Sequence, residues 1–188
     1  MPKLYFRYGT MGSSKTMNLL MVAYNYKKQD KNVLCLKPSI DNRSGADMIS
    51  SRTGFSRKAD FMIDKADNIL IILQDIIKQN IVCILVDECQ FLTKEHINQL
   101  RQITKYITVI CYGLRTDYMT NLFDGSKRLM EIADSIEEVK TICTYCTKKA
   151  IINMKKSGDI VVKKGCDKPD IGGDEKYCAS CWNCWDKQ

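Results

Sequence analysis

The sequence predicts an α/β fold: a parallel sheet flanked by helices, followed by a small β-rich module that binds metal. Three observations carry this. Apolar strand-like runs alternate with amphipathic helical segments from Leu4 to about Asp134, the pattern of a sheet covered on both faces. The string Gly9-Thr10-Met11-Gly12-Ser13-Ser14-Lys15-Thr16 falls between the first strand and the first helix. It matches the phosphate-cradling loop G-x-x-x-x-G-K-[ST], with serine in place of the second glycine. Six of the ten cysteines crowd into the last quarter of the chain, four of them as Cys143-x-x-Cys146 and Cys181-x-x-Cys184.

The elements follow in order. Residues 4–8 alternate apolar and aromatic side chains and read as a strand entering the glycine loop. From Lys15 to about Gln29, Met17, Leu20, Met21 and Tyr24 recur at helical spacing, so the loop opens a helix. Val33 to Leu36 is a short buried strand. Residues 38–58 are polar and irregular and read as a mobile or ligand-contacting loop. Asp67 to Gln79 carries Ile69, Leu70, Leu73, Ile76 and Ile77, an amphipathic helix. Val82 to Val86 is a continuous apolar strand ending at Asp87-Glu88, and Lys94 to Lys105 is helical again. The strand Thr108 to Tyr112 and a helix over Ser126 to Asp134 complete the sheet unit. Beyond about Glu138, paired cysteines and Gly/Lys/Asp-rich turns take over, which places a boundary between units 1–140 and 141–188.

Composition narrows the partners. A 45% hydrophobic content in 188 residues suffices for a packed core. The net charge of +7 suits anionic ligands such as nucleotides, yet it is spread along the chain without a nucleic-acid-binding arm. No run of about 18 apolar residues exists, so no membrane span is expected. The N-terminal residues lack a secretory core, so the cysteines read as cytoplasmic thiols. Cys35, Cys83, Cys89 and Cys111 sit singly in apolar runs and read as small core residues.

The glycine string implies a phosphate site. Its backbone N–H groups and the positive end of the following helix would wrap the phosphates. Lys15 would reach the β/γ-phosphates and Thr16 would ligate Mg²⁺. Ser14 costs about 1 kcal/mol if its position needs positive φ. Asp87, at the carboxyl end of a buried strand, is the expected Mg²⁺ partner, through water. Glu88 is then a second carboxylate beside the γ-phosphate, placed to take a proton from an attacking hydroxyl.

Cys143, Cys146, Cys181 and Cys184 have the pairing of a structural tetrahedral zinc site, with a redox dithiol as the competing reading. Cys166 and Cys178 are spare ligand candidates that read rather as free thiols, and His96 reads as a surface residue of its helix.

Taken together, the strings resemble the thymidine kinases of the cellular, bacterial and poxviral type over essentially the whole sequence, with most likeness to a Gram-positive bacterial branch. Gly9 to Thr16 stands for the family's glycine loop, Asp41-Asn42-Arg43 for its D-x-R, and Asp87-Glu88-Cys89-Gln90-Phe91 for its D-E-x-Q-F. Gly113-Leu114 with Asp117-Tyr118 stands for G-L-x-x-[DT]-F, and the cysteine pairs for its two zinc knuckles. Ile171-Gly172-Gly173 and Tyr177 stand for its substrate lasso.

The resemblance implies a RecA-like P-loop sheet and a zinc-bearing lasso closing over the nucleoside. It implies transfer of the ATP γ-phosphate to the thymidine 5′-hydroxyl, with Mg²⁺ and structural Zn²⁺, by a homotetramer. Glu88 would be the base, Lys15 and Arg43 would steady phosphoryl charge, and Gly9 to Thr16 with Asp87 and Gln90 would hold the nucleotide. Met11, Phe91, Leu114, Tyr118, Lys168, Pro169, Asp170, Ile171, Gly172 and Tyr177 would line the nucleoside pocket, with Gln90 beside the substrate. Three departures stand out: Ser14 for glycine, Arg115 where aspartate is frequent, and Tyr118 for phenylalanine. Residues 163–171 also align poorly with the usual apolar lasso run. The alternatives are a weakened nucleotide-binding relative, or a P-loop ATPase with a zinc ribbon that binds nucleic acid.

Overall fold

The computed structural model describes residues 1–43, 45–76, 79–158, 160–165 and 171–188. In chain order the elements begin with β1 (Leu4–Tyr8), α1 (Lys15–Lys28), β2 (Asn32–Pro38), β3 (Met48–Ser50), β4 (Ser56–Lys58), β5 (Phe61–Ile63) and α2 (Ile69–Leu73). They continue with β6 (Ile81–Val86), α3 (Lys94–Ile103), β7 (Thr108–Gly113), α4 (Asp124–Ile132) and β8 (Ser135–Glu138). The chain closes with β9 (Ile152–Ser157), β10 (Ile160–Val162), β11 (Tyr177–Ser180) and α5 (Trp182–Asp186).

Six strands form one sheet in the order β5-β2-β6-β7-β1-β8, and every pairing is parallel. Its central strands are apolar at nearly every position because both faces are covered. Leu4, Phe6, Leu34, Leu36, Ile84, Val86, Val109 and Cys111 face one way, against Ile69, Leu73, Ile97, Leu100 and Leu129 of α2, α3 and α4. The alternate residues Cys35, Cys83, Leu85, Ile110 and Tyr112 face Leu19, Leu20 and Ala23 of α1. The unbroken apolar runs in the sequence are thus two period-2 faces superposed.

Three strands form a second, antiparallel sheet in the order β10-β9-β11. The link between the sheets includes buried Asn153 on β9. Its Oδ1 accepts from Met11 N at 2.8 Å, and its Nδ2 donates to Thr116 O at 2.9 Å. No described helix is long and apolar enough to cross a membrane.

Four expectations change. The segment 38–58, expected to be irregular, contains the antiparallel β3–β4 hairpin, with Met48 opposite Lys58. The edge strands β5 and β8 were not expected, being short and, in β8, polar and charged. The helix expected over 67–79 is α-helical only from Ile69 to Leu73, capped by Asn68 accepting from Leu70 N and Ile71 N. β-branched Ile69, Ile71, Ile72 and Ile76 weaken its continuation, and Ile77 lies outside the described residues. His96 is buried rather than on the surface: its ring accepts from Thr93 N at 3.3 Å and reaches Asp67 O at 3.0 Å.

Candidate active site

The carboxyl ends of β1, β2, β6 and β7 deliver the charged groups to one edge of the sheet, as parallel topology requires. After β1, the chain turns through Gly12 (φ 74°) and Ser14 (φ 62°) into α1. Ser14 therefore occupies a left-handed conformation that favours glycine, and its side chain makes no capping bond. The loop closes regardless. Lys15 Nζ folds back to donate to Thr10 O at 2.8 Å and to Ser13 Oγ at 3.3 Å. Burial pushes the Lys15 ammonium down to about 8, against the pull of Glu88 and Asp87.

Asp87 is buried at the end of β6, with Thr16 Oγ1 at 3.4 and 3.3 Å from its two carboxylate oxygens. Burial, then the neighbouring Glu88 charge, raises its carboxyl to about 7. A buried carboxylate beside a hydroxyl is a hard oxygen donor set short of positive charge, which fits Mg²⁺.

Glu88 follows in a left-handed conformation (φ 48°), unusual for a glutamate. Both its oxygens are engaged: Oε1 pairs with Arg43 Nη2 at 2.7 Å, and Oε2 accepts from Gln90 Nε2 at 2.5 Å. Each oxygen keeps a lone pair for a further proton donor. Gln90 Oε1 in turn accepts from Leu114 N at 3.0 Å. On the other side, Arg43 Nε binds Asp41 Oδ1 at 2.6 Å, and fully buried Lys37 lies 3.4 Å from Asp41 Oδ2. Burial would lower the Arg43 guanidinium, but Glu88 and Asp41 outweigh it and hold it charged. Burial likewise opposes ionisation of Asp41, yet Arg43 and Lys37 keep its carboxyl below the usual range. Lys37, Asp41, Arg43 and Glu88 thus form one chain of charge, and the neutral Gln90 amide holds its end at Glu88.

Two cavities meet there. The smaller, about 280 Å³, is lined by the phosphate loop from Met11 to Met17, with Asp87, Arg52 and Asp174. The larger, about 820 Å³, is walled by Phe91, Phe123, Tyr118, Tyr177, Gln90 and Gly172 among others, a size suited to a small organic ligand. Met11, Arg43, Glu88 and Leu114 line both. In the larger cavity Met11, Tyr118 and Tyr177 form an apolar cluster, with the two tyrosine rings 6.4 Å apart. Lys155 Nζ sits 4.7 Å from the Tyr118 ring centroid, and a Cβ on Gly165 would collide with the Tyr118 hydroxyl. Phe91 meets Phe123 edge-on at 5.8 Å.

Of the residues singled out in the sequence, Gly9 N donates to Gly113 O at 3.3 Å, tying the loop to β7. Gln90 lines the larger cavity, away from the phosphate loop. Ile171 and Gly172 also line it, and Arg43 Nη1 reaches Gly172 O at 3.4 Å. Lys168, Pro169, Asp170 and Cys166 lie outside the described residues. Arg115 does not enter either cavity: its guanidinium lies 5.7 Å from the Tyr8 ring centroid. Lys37, Arg52, Phe123 and Asn153 were not anticipated. A lone polar residue in the apolar run Ile151 to Met154 marks Asn153, and a lysine closing the apolar run of β2 marks Lys37.

The four sulfurs of Cys143, Cys146, Cys181 and Cys184 lie within 4.8 Å of one another. Cys146 Sγ is 3.6 Å from Cys181 Sγ and 3.7 Å from Cys184 Sγ. Thiolates tetrahedrally bound to zinc lie about 3.8 Å apart, so the set fits the ion with no position left open. Cys178 is not part of it; its sulfur is 3.2 Å from the Tyr145 hydroxyl.

A sequence model of the thymidine kinase family matches residues 2–185. Proteins named thymidine kinase align over 96% of this chain: one from Lactiplantibacillus plantarum at 42% identity, covering 94% of its own length, and one from Pasteurella multocida at 43%, covering 95%. Another from Streptococcus agalactiae is 40% identical, also over 96% of this chain and 95% of its own. Among solved structures, a Pif1 helicase from Candida albicans overlaps 75% of this chain and 36% of its own, at a TM-score of 0.41 and 13% identity, too distant to bear on function. The whole-length match, with a phosphate loop, a paired carboxylate and a four-cysteine module, places the chain in the thymidine kinase family.

Proposed function

We propose that this protein transfers the γ-phosphate of ATP to the 5′-hydroxyl of thymidine, giving dTMP and ADP. The observation that carries the reading is the shared wall of the two cavities, where Glu88 and Arg43 face a phosphate site on one side and an aromatic-lined pocket on the other. A nucleoside in the larger cavity would present its hydroxyl to Glu88, which accepts the proton as the oxygen attacks. Arg43, released from full engagement with Glu88 as that carboxylate is protonated, steadies charge on the moving phosphoryl group. Lys15 and the loop amides hold the β/γ-phosphates. Thr16 and Asp87 would hold Mg²⁺, which supplies charge neutralisation between the phosphates when bound. Tyr118 offers a ring face for the base and Tyr177 packs beside it; Met11, Phe91, Leu114, Gln90, Ile171 and Gly172 enclose the nucleoside.

In this reading residues 1–140 bind ATP and residues 141–188, held together by zinc, close over thymidine. A cytoplasmic homotetramer is the matching assembly and location, and light scattering of the purified protein tests the first. The reaction itself is tested by mass spectrometry after incubation with thymidine and ATP·Mg²⁺. Equal amounts of dTMP and ADP are expected; ADP without dTMP would overturn the proposal.

A further inference from the structure

Arg52 stands on the turn between β3 and β4, in a hairpin that leans over the phosphate loop. Met48, Ser51, Arg52 and Thr53 line the smaller cavity together with Lys15, and Thr53 Oγ1 reaches Met17 Sδ at 3.5 Å. A Cβ placed on Gly12 would lie 3.2 Å from Arg52 Nη1, so the guanidinium sits directly against the loop that holds phosphate. Its other terminal nitrogen pairs with Asp174 Oδ1 at 2.6 Å. Three cations, Lys15, Arg43 and Arg52, therefore border one small cavity, and of these Arg43 is already held between Asp41 and Glu88. Cations so placed favour an anion between them.

The pair with Asp174 is weakly held. Its side chains are 51% and 64% exposed, the class of ion pair that contributes little in water. A polyphosphate offers the same fork several oxygens, more charge and a partly enclosed setting. Asp174, left behind, stays solvated.

We propose that Arg52 is a further phosphate-binding residue, resting on Asp174 in the free protein and exchanging that carboxylate for an ATP phosphate oxygen. This rests on the kinase reading above. The competing role is a structural strap, in which the bridge merely ties the hairpin to the segment carrying Gly173 and Asp174. The two differ in what loss of Asp174 does.

The test is steady-state kinetics of wild type, Arg52→Ala, Arg52→Lys and Asp174→Asn, with ATP and thymidine varied in turn. Arg52→Ala is expected to lower kcat/KM for ATP by roughly 30-fold, the scale of one charge-assisted contact, with the KM for thymidine within about twofold. Arg52→Lys recovers part of the loss. Asp174→Asn removes the competing carboxylate and lowers the KM for ATP. An Arg52→Ala enzyme within about threefold of wild type overturns the proposal. So does an Asp174→Asn loss as large as that of Arg52→Ala, which is the strap's result. A wild type without thymidine-dependent turnover defeats the kinase reading instead; calorimetry of ATP binding then decides on Arg52 alone, an unchanged Kd in Arg52→Ala overturning it.

Discussion

The two cavities are built by opposite means. The smaller cavity is made by charged and polar side chains set beyond the carboxyl ends of neighbouring parallel strands, each locked by a partner: Lys15 on Thr10 O, Thr16 on Asp87, Arg43 between Asp41 and Glu88. The larger cavity is closed by aromatic rings and by segments of the module that carries the four-cysteine cluster. The contrast teaches that charge chemistry here is a property of the sheet edge, whereas ligand shape is a property of contacts between distant parts of the chain. The wall they share, Glu88 with Arg43, Met11 and Leu114, is where the difference matters most.

The sharpest way to break the comparison is at that wall. Glu88→Gln keeps the shape and the Gln90 contact but removes the base, so kcat should fall by about 10²- to 10⁴-fold. ATP and thymidine affinities, measured by calorimetry, should change far less. Cys146→Ser separates the cavities instead. It should abolish stoichiometric zinc, read by elemental analysis, and weaken thymidine binding by roughly tenfold or more as the module loses its cross-link. ATP binding should survive better, because most of its cavity belongs to the sheet.

A smaller effect is expected from pH. Lys15, with its ammonium at about 8, is protonated below that pH and neutral above it. Phosphate binding favours the charged form, so the KM for ATP should rise above pH 8, approaching about tenfold per unit, until the higher pKa of the bound state is passed. The KM for thymidine should not follow. The smallest change is Ser14→Gly. It removes a side chain from a left-handed position where it makes no capping bond, and should stabilise the fold by about 1 kcal/mol, read as a raised Tm. Unchanged stability would mean that the loop pays nothing for serine.

How much of this was legible in the sequence follows the same division. The smaller cavity is written in contiguous strings, Gly9 to Thr16, Asp41 to Arg43 and Asp87-Glu88, because each strand ends close to where its functional residues begin. The apolar runs of β2, β6 and β7 likewise announce a sheet buried on both faces. The larger cavity was only half legible. Tyr118 and Tyr177 come together from 59 positions apart, and Asn153 meets Met11 across 142. Nothing local in the sequence encodes such meetings. The hairpin that carries Arg52 hid within a polar segment, since two three-residue strands that bury Ile49 alone are too short to show a hydrophobic period. His96 was misplaced because a buried histidine that caps its own helix looks, in sequence, like a solvent-facing one.

The central claim is that the two cavities form a single transfer site rather than an ATPase beside an unrelated pocket. Coupled measurement of ADP release by the wild-type protein, with and without thymidine and with single-stranded DNA as the control, tests it most directly. The account predicts slow release from ATP alone, strong stimulation by thymidine and none by DNA. Release at the same rate with and without thymidine would contradict it.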